Sequence, residues 1–77
     1  MLVKCLARAL APDVLVNGIA PGTVQFPGEA PDEVFVRRAP LKRTGTGEDI
    51  AQAVAYLATA DFVTGQVIAV DGGRSLA

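Results

Sequence analysis

Two short β-forming runs, VLVNGIA at 14–20 and QVIAV at 66–70, carry apolar residues on both alternating faces. A strand wetted on one side alternates apolar with polar residues. One that is apolar on both sides is covered on both sides, as in a parallel sheet. Between the runs lies a segment with helical periodicity, and parallel strands need such a crossover. The order strand, helix, strand restricts the chain to an α/β architecture. It predicts that 14–20 and 66–70 run side by side in the same direction.

Residues 46–59 read as the crossover helix. Thr46 is suited to cap it, Asp49 stands three residues later and Glu48 adds charge to the first turn. Ile50, Ala51, Val54, Leu57 and Ala58 then form one apolar stripe. Residues 1–11 read as another helix, with Leu2, Val3, Leu6, Ala7 and Leu10 on one face, Lys4 and Arg8 on the other, and Pro12 ending it. Its periodicity is already running at residue 1 without a capping residue, so the expectation is a longer helix cut short.

The first strand stops abruptly on Pro21-Gly22, and an irregular stretch at 21–45 follows, holding four of the five prolines. Pro31 with Asp32-Glu33 predicts a short helix inside it, to which Val34, Phe35 and Val36 give an apolar side. An apolar irregular segment of this length reads as a functional lid rather than a disordered link. Its Arg37, Arg38, Lys42 and Arg43 are read as a solvated lid face in preference to an anion site. Asn17, inside the first strand, is read as a buried amide tying neighbouring backbone together, not as a catalytic group. Asp71-Gly72-Gly73 reads as the turn closing the second strand.

Composition narrows the function. The net charge is −1, from 7 basic and 8 acidic residues with no basic block, which argues against nucleic-acid or membrane-surface binding. No apolar run is long enough to span a bilayer, and the first residues lack a secretory-signal pattern. A single cysteine, Cys5, excludes an internal disulfide and reads as a small hydrophobe. There is no histidine, so the commonest metal ligand and the usual general base are absent, and no carboxylate cluster suggests a metal site. Two strands and two helices cannot cover both faces of a parallel sheet. Burial at about 25 cal/mol per Å² barely offsets roughly 1.5 kcal/mol per ordered residue in so short a chain. The chain is therefore expected to be part of a larger α/β protein, or to fold only with partners.

Three motifs, VNGIAPGTV at 16–24, PLKRTGTGEDIAQAVAYLA at 40–58 and FVTGQVIAVDGG at 62–73, occur in this order. Together they resemble the C-terminal end of a short-chain dehydrogenase/reductase, most like the pteridine-reductase-like branch. The resemblance implies the C-terminal part of a doubly wound Rossmann-type parallel sheet: helix, strand, lid loop, helix, strand. Residues 1–77 would all belong to one such domain, incomplete by itself, with a substrate lid at about 23–45. The implied activity is NAD(P)(H)-dependent hydride transfer to a carbonyl or pterin-like substrate, with NADP(H) favoured over NAD(H).

Pro21, Gly22, Thr23 and Val24 would lie beside the nicotinamide at the carboxyl end of the strand. There the missing Gly22 Cβ would admit the ring, and Thr23 and Val24 backbone groups would pair with the carboxamide. Many family members carry a threonine at the position held here by Phe26. Phe26 would instead wall the substrate, with a loop anchor under the lid as an equal alternative. The family's catalytic Tyr-x-x-x-Lys would lie upstream of Met1. Tyr56 is not that tyrosine, because Ala60 stands where the lysine belongs. No residue of this chain is thus expected to transfer a proton, and the isolated chain is expected to be inactive. The resemblance further implies a cytoplasmic homo-oligomer, a dimer or tetramer. The alternative is a non-catalytic fragment that associates with homologous subunits.

Overall fold

The computed structural model describes residues 1–76. In chain order it forms α1 (Leu2–Leu10), β1 (Gly18–Pro21), α2 (Glu33–Arg38), α3 (Gly47–Thr59), β2 (Val67–Val70) and a terminal 3₁₀ turn, Arg74–Leu76. β1 and β2 pair in parallel, Gly18 opposite Val67 and Pro21 opposite Val70. The ladder is extended at one end by the Gly18 N–H to Gln66 O (2.8 Å) and at the other by the Gly22 N–H to Val70 O (3.0 Å).

The first strand starts later than its apolar pattern predicts, at Gly18 rather than residue 14. Among the described residues no strand lies beside 14–17 on which to build a ladder. Val16 bonds instead to the loop before β2, its N–H to Thr64 Oγ1 (3.1 Å) and its C=O accepting from the Gly65 N–H (2.8 Å). Asn17 does what its amide suggested. Its Nδ2 donates to Val63 O (2.9 Å) and its Oδ1 accepts from the Gln66 N–H (3.1 Å). One side chain therefore spans the start of β2 and fixes the register of the pair.

The helices lie on opposite faces of the pair. Side chains alternate along a strand. At Gly18, a Cβ would point at Val3 of α1 (3.4 Å), whereas Ile19 lines a groove with Val54, Leu57 and Ala58 of α3. α1 also rests on Gly65 through Ala7, and Lys4 Nζ donates to Gly65 O (3.2 Å).

Among the described residues three apolar ones are buried, Ala7, Phe35 and Ala39, while Leu2, Leu6, Leu10, Val14, Leu15, Val54 and Phe62 stay exposed. The accessible surface is 5537 Å², where a folded monomer of 7.9 kDa averages about 4,400 Å². The radius of gyration is 14.6 Å against about 11.5 Å expected for this length. Both excesses reflect apolar helix and sheet faces that nothing within the described residues covers.

α3 starts as its sequence predicts. Thr46 Oγ1 accepts from the Asp49 N–H (3.3 Å) and Asp49 Oδ2 accepts from the Thr46 N–H (2.8 Å), a reciprocal capping box. Replacing Thr46 by alanine removes one half of that exchange. It should lower stability by about 1 kcal/mol, measured as a shift in the urea midpoint at unchanged slope.

Candidate functional site

The site is built where β1 and β2 end together. Gly22 follows the last residue of β1, and the close approach of Asp71 explains why the position needs glycine. A Cβ on Gly22 would lie 2.9 Å from Asp71 Cα, from Asp71 Cβ and from Phe35 Cζ. The sequence reading assigned the missing Cβ to a flat ligand ring. In the structure that direction is occupied by the backbone after β2 and by an aromatic ring of the lid.

Asp71 is fixed in turn. Its carboxylate accepts from the Gly73 and Ser75 N–H groups (both 3.0 Å), and hydrogen bonding from Ser75, its side chain foremost, is the main cause that holds its pKa below the ordinary value. Gly72 (φ +62°) and Gly73 (φ +84°) take the left-handed turn that the double glycine predicts.

Beyond Gly22 the chain meets the far end of the lid. Gly45 N–H donates to Thr23 O (2.8 Å), the Gln25 N–H donates to Gly45 O (2.9 Å), and Val24 forms an isolated parallel bridge with Gly45. In that pattern the residues flanking Val24 bond to Gly45, so the N–H and C=O of Val24 itself face the opposite edge. Among the described residues neither group has a hydrogen-bond partner, nor does the Thr23 N–H. The Thr23 C=O, by contrast, is taken.

The strand end therefore offers one backbone donor and one backbone acceptor side by side on a single residue. A primary carboxamide, which has an NH₂ and a C=O, is complementary to that pair. The residues present thus fit a nicotinamide carboxamide at Val24, with Thr23 limited to its N–H.

Phe26 follows Gln25 and is 57% exposed. With Gln25, Pro27, Thr44 and Thr46 it lines an open groove of about 460 Å³. Pro21, Gly22, Thr23 and Val24 do not line it, so of the five residues singled out from sequence only Phe26 faces this groove. Sequence reasoning did not mark Thr44 and Gln25, whose side chains join across the base of the lid, Thr44 Oγ1 donating to Gln25 Oε1 (3.0 Å). Gly45, the partner of Val24 in the bridge, was also missed. A polar residue at each end of a lid carries no local sign of such pairing.

Of the lid's cations, Lys42 Nζ donates to Arg37 O (2.7 Å). Arg43 makes a two-pronged pair with Asp49, Nη1 to Oδ2 (2.8 Å) and Nη2 to Oδ1 (3.1 Å). These bonds are the main cause that holds Asp49 well below the usual carboxylate range and raises Arg43. The pair therefore stays ionised at neutral pH, tying the lid to the first turn of α3. Among the described residues no group of acidic, histidine or cysteine side chains is arranged to hold a metal ion, and no helix is long and apolar enough to cross a membrane.

A family profile described as enoyl-(acyl carrier protein) reductase matches residues 1–75. A short-chain dehydrogenase/reductase of known structure from Brucella melitensis superposes with a TM-score of 0.84 at 37% identity, over 99% of this chain and 32% of its own. The chain belongs to the short-chain dehydrogenase/reductase family. Two further members of that family narrow the comparison. The dihydromonapterin reductase of Klebsiella pneumoniae subsp. pneumoniae is 42% identical over 79 residues, 97% of this chain and 32% of its own length. The FolM alternative dihydrofolate reductase 1 from Brucella canis, solved with NADP, gives a TM-score of 0.83 at 40% identity, over 97% of this chain and 30% of that one. The chain thus spans about a third of the length of these short-chain dehydrogenase/reductase relatives. Its strand–lid–helix–strand order and parallel pair are those expected of the family's doubly wound sheet.

Proposed function

We propose that this chain forms the C-terminal part of an NAD(P)(H)-dependent short-chain reductase, all of residues 1–77 belonging to one Rossmann-type domain. It supplies the nicotinamide-side strand end and the substrate lid. The observation that carries the reading is the unpaired N–H and C=O of Val24 at the carboxyl end of β1. In open α/β sheets ligands bind outside the carboxyl ends of the strands.

In this reading Val24 donates to the carboxamide oxygen and accepts from its NH₂. Thr23 adds its N–H. Pro21 and Gly22 hold the turn between the ladder and Val24, Gly22 through its bond to Val70 O (3.0 Å). The bound cofactor supplies a hydride; what these residues contribute is the fixed orientation of one ring face, and such positioning is a major rate term. Phe26 forms an apolar wall of the groove beside them.

NADP(H) is favoured over NAD(H), since the Brucella canis relative was solved with NADP. A carbonyl or pterin-like substrate is favoured by the dihydromonapterin reductase relative. Proton transfer is assigned to no residue of this chain. Tyr56 projects from α3, 55% exposed, with Ala60 four positions on, and lies outside the strand-end corner. The tyrosine and lysine of the reaction come, in this proposal, from the rest of a longer protein that assembles as a homo-oligomer; the isolated chain oxidises no NADPH.

The test is Val24→Pro in the intact protein. Proline removes the Val24 N–H but none of the bonds between Gly45 and its partners, which use the groups of Thr23 and Gln25. NADPH affinity, followed by fluorescence titration, should fall about two- to tenfold for the lost bond, with an unchanged far-UV spectrum. Undiminished affinity in a folded Val24→Pro protein contradicts the assignment.

A further inference from the structure

The sequence presents the lid as one segment of about 23–45. Its hydrogen bonds and packing divide it unequally. From α2 onward it is fastened at every few residues. Phe35 is buried with its ring tip against Gly22, and Ala39 is fully buried. The Leu41 N–H donates to Gly72 O (3.0 Å), and Pro40 Cγ lies 2.9 Å from where a Cβ on Gly73 would be. Arg43 pairs with Asp49, and Gly45 bridges to Val24. This part is a strap laid over the ends of both strands.

Residues 26–31 have none of these ties, and each is exposed. The Glu29 N–H donates to Phe26 O (3.1 Å) with Pro27 and Gly28 between them, Gly28 at φ +87°. That is the arrangement of a type II turn, proline first and a left-handed glycine second. A Cβ on Gly28 would meet nothing within 4 Å. At the far end Asp32 caps α2, its Oδ1 accepting from the Phe35 N–H (3.0 Å).

Among the described residues one side chain hydrogen-bonds to both flap and strap. Gln25 Oε1 accepts from Thr44 Oγ1 (3.0 Å), and Nε2 of the same amide donates to Glu29 O (2.9 Å). Thr44 is buried, whereas Glu29 is exposed.

We infer that the lid is jointed: 33–45 is a fixed strap, 26–31 is a separate flap, and Gln25 is the positioning residue that sets the flap through Glu29. Calling the flap substrate-facing rests on the function proposed above. The division itself does not.

The two ends of the Gln25 amide can be separated chemically. In Gln25→Glu the carboxylate still accepts from Thr44, but it has no hydrogen to give the Glu29 carbonyl. The measurement is amide hydrogen exchange on the intact protein, with and without NADPH. In Gln25→Glu, exchange at 26–31 should rise about two- to tenfold, the range for one lost hydrogen bond, with 33–45 unchanged. If 33–45 exchanges together with 26–31, or if Gln25→Glu leaves 26–31 at the wild-type rate, the joint does not exist. In wild type, NADPH should slow exchange at 23–24. Failure there counts against the cofactor reading and leaves the joint standing, so the two are judged separately.

Discussion

Phe35→Ala should lower the stability of the intact protein by about 3–5 kcal/mol, read as a fall in the urea midpoint. α2 has six residues, too few to persist without tertiary packing. Phe35 is its one buried side chain, and the ring tip abuts the space over Gly22 that Asp71 also borders. Among the described residues the others that are buried, Ala7, Ala39 and Thr44, are all small. None is large enough to fill the gap. The comparison that isolates the effect is Val34→Ala, one residue earlier and equally apolar in sequence. Val34 is 51% exposed, so its truncation should change stability by less than about 0.5 kcal/mol. Similar losses for the two substitutions would mean that the lid is not seated through Phe35. In that case the strap described above would have lost its main fastening.

The contrast between Val34 and Phe35 marks the limit of what the sequence disclosed. Val34-Phe35-Val36 announces an apolar side to a short helix, but no spacing within three adjacent residues says which one meets the sheet. The structure decides it through Asp71, far along the chain. Local signals fared better. The exchange between Thr46 and Asp49 is written within four residues and formed as read. The parallel pairing followed from strands apolar on both faces with a helix between them. The start of β1 was misplaced because apolar alternation reports burial, while a ladder needs a partner. Val16 and Asn17 bond to Val63–Gln66 through side chains and a single backbone contact instead. At the site, the position of Val24 after Pro21-Gly22 was legible, but its unpaired edge was not. That edge exists because Gly45 returns to occupy the neighbours of Val24. Arg43 read as a solvated lid cation and proved to be an anchor, since its partner Asp49 lies across the lid–helix junction.

Gly22→Ala is the second large effect, and it separates two accounts of the same residue. If the absent Cβ serves a nicotinamide ring, alanine is harmless until cofactor is added. If it serves the approach of Asp71 and Phe35, alanine is costly in the cofactor-free protein. The distances favour the latter. Two of the three atoms at 2.9 Å are Asp71 Cα and Cβ. Asp71 follows β2 directly and is pinned by its bonds to Gly73 and Ser75, so it cannot retreat as the tip of a flexible side chain would. Overpacking of this kind costs about 1–3 kcal/mol, and a rigid neighbour places it towards the upper end. The loss should therefore appear in apo thermal melts. Adding Phe35→Leu shortens the side chain where its Cζ lies but leaves Asp71 in place, so the double variant should recover only part of it, a coupling measurable by a double-mutant cycle. NADPH affinity should fall as well, because Val24 stands two residues beyond the displaced corner. An apo melt identical to wild type, with affinity alone reduced, would return the glycine to the cofactor and remove Asp71 and Phe35 from the explanation.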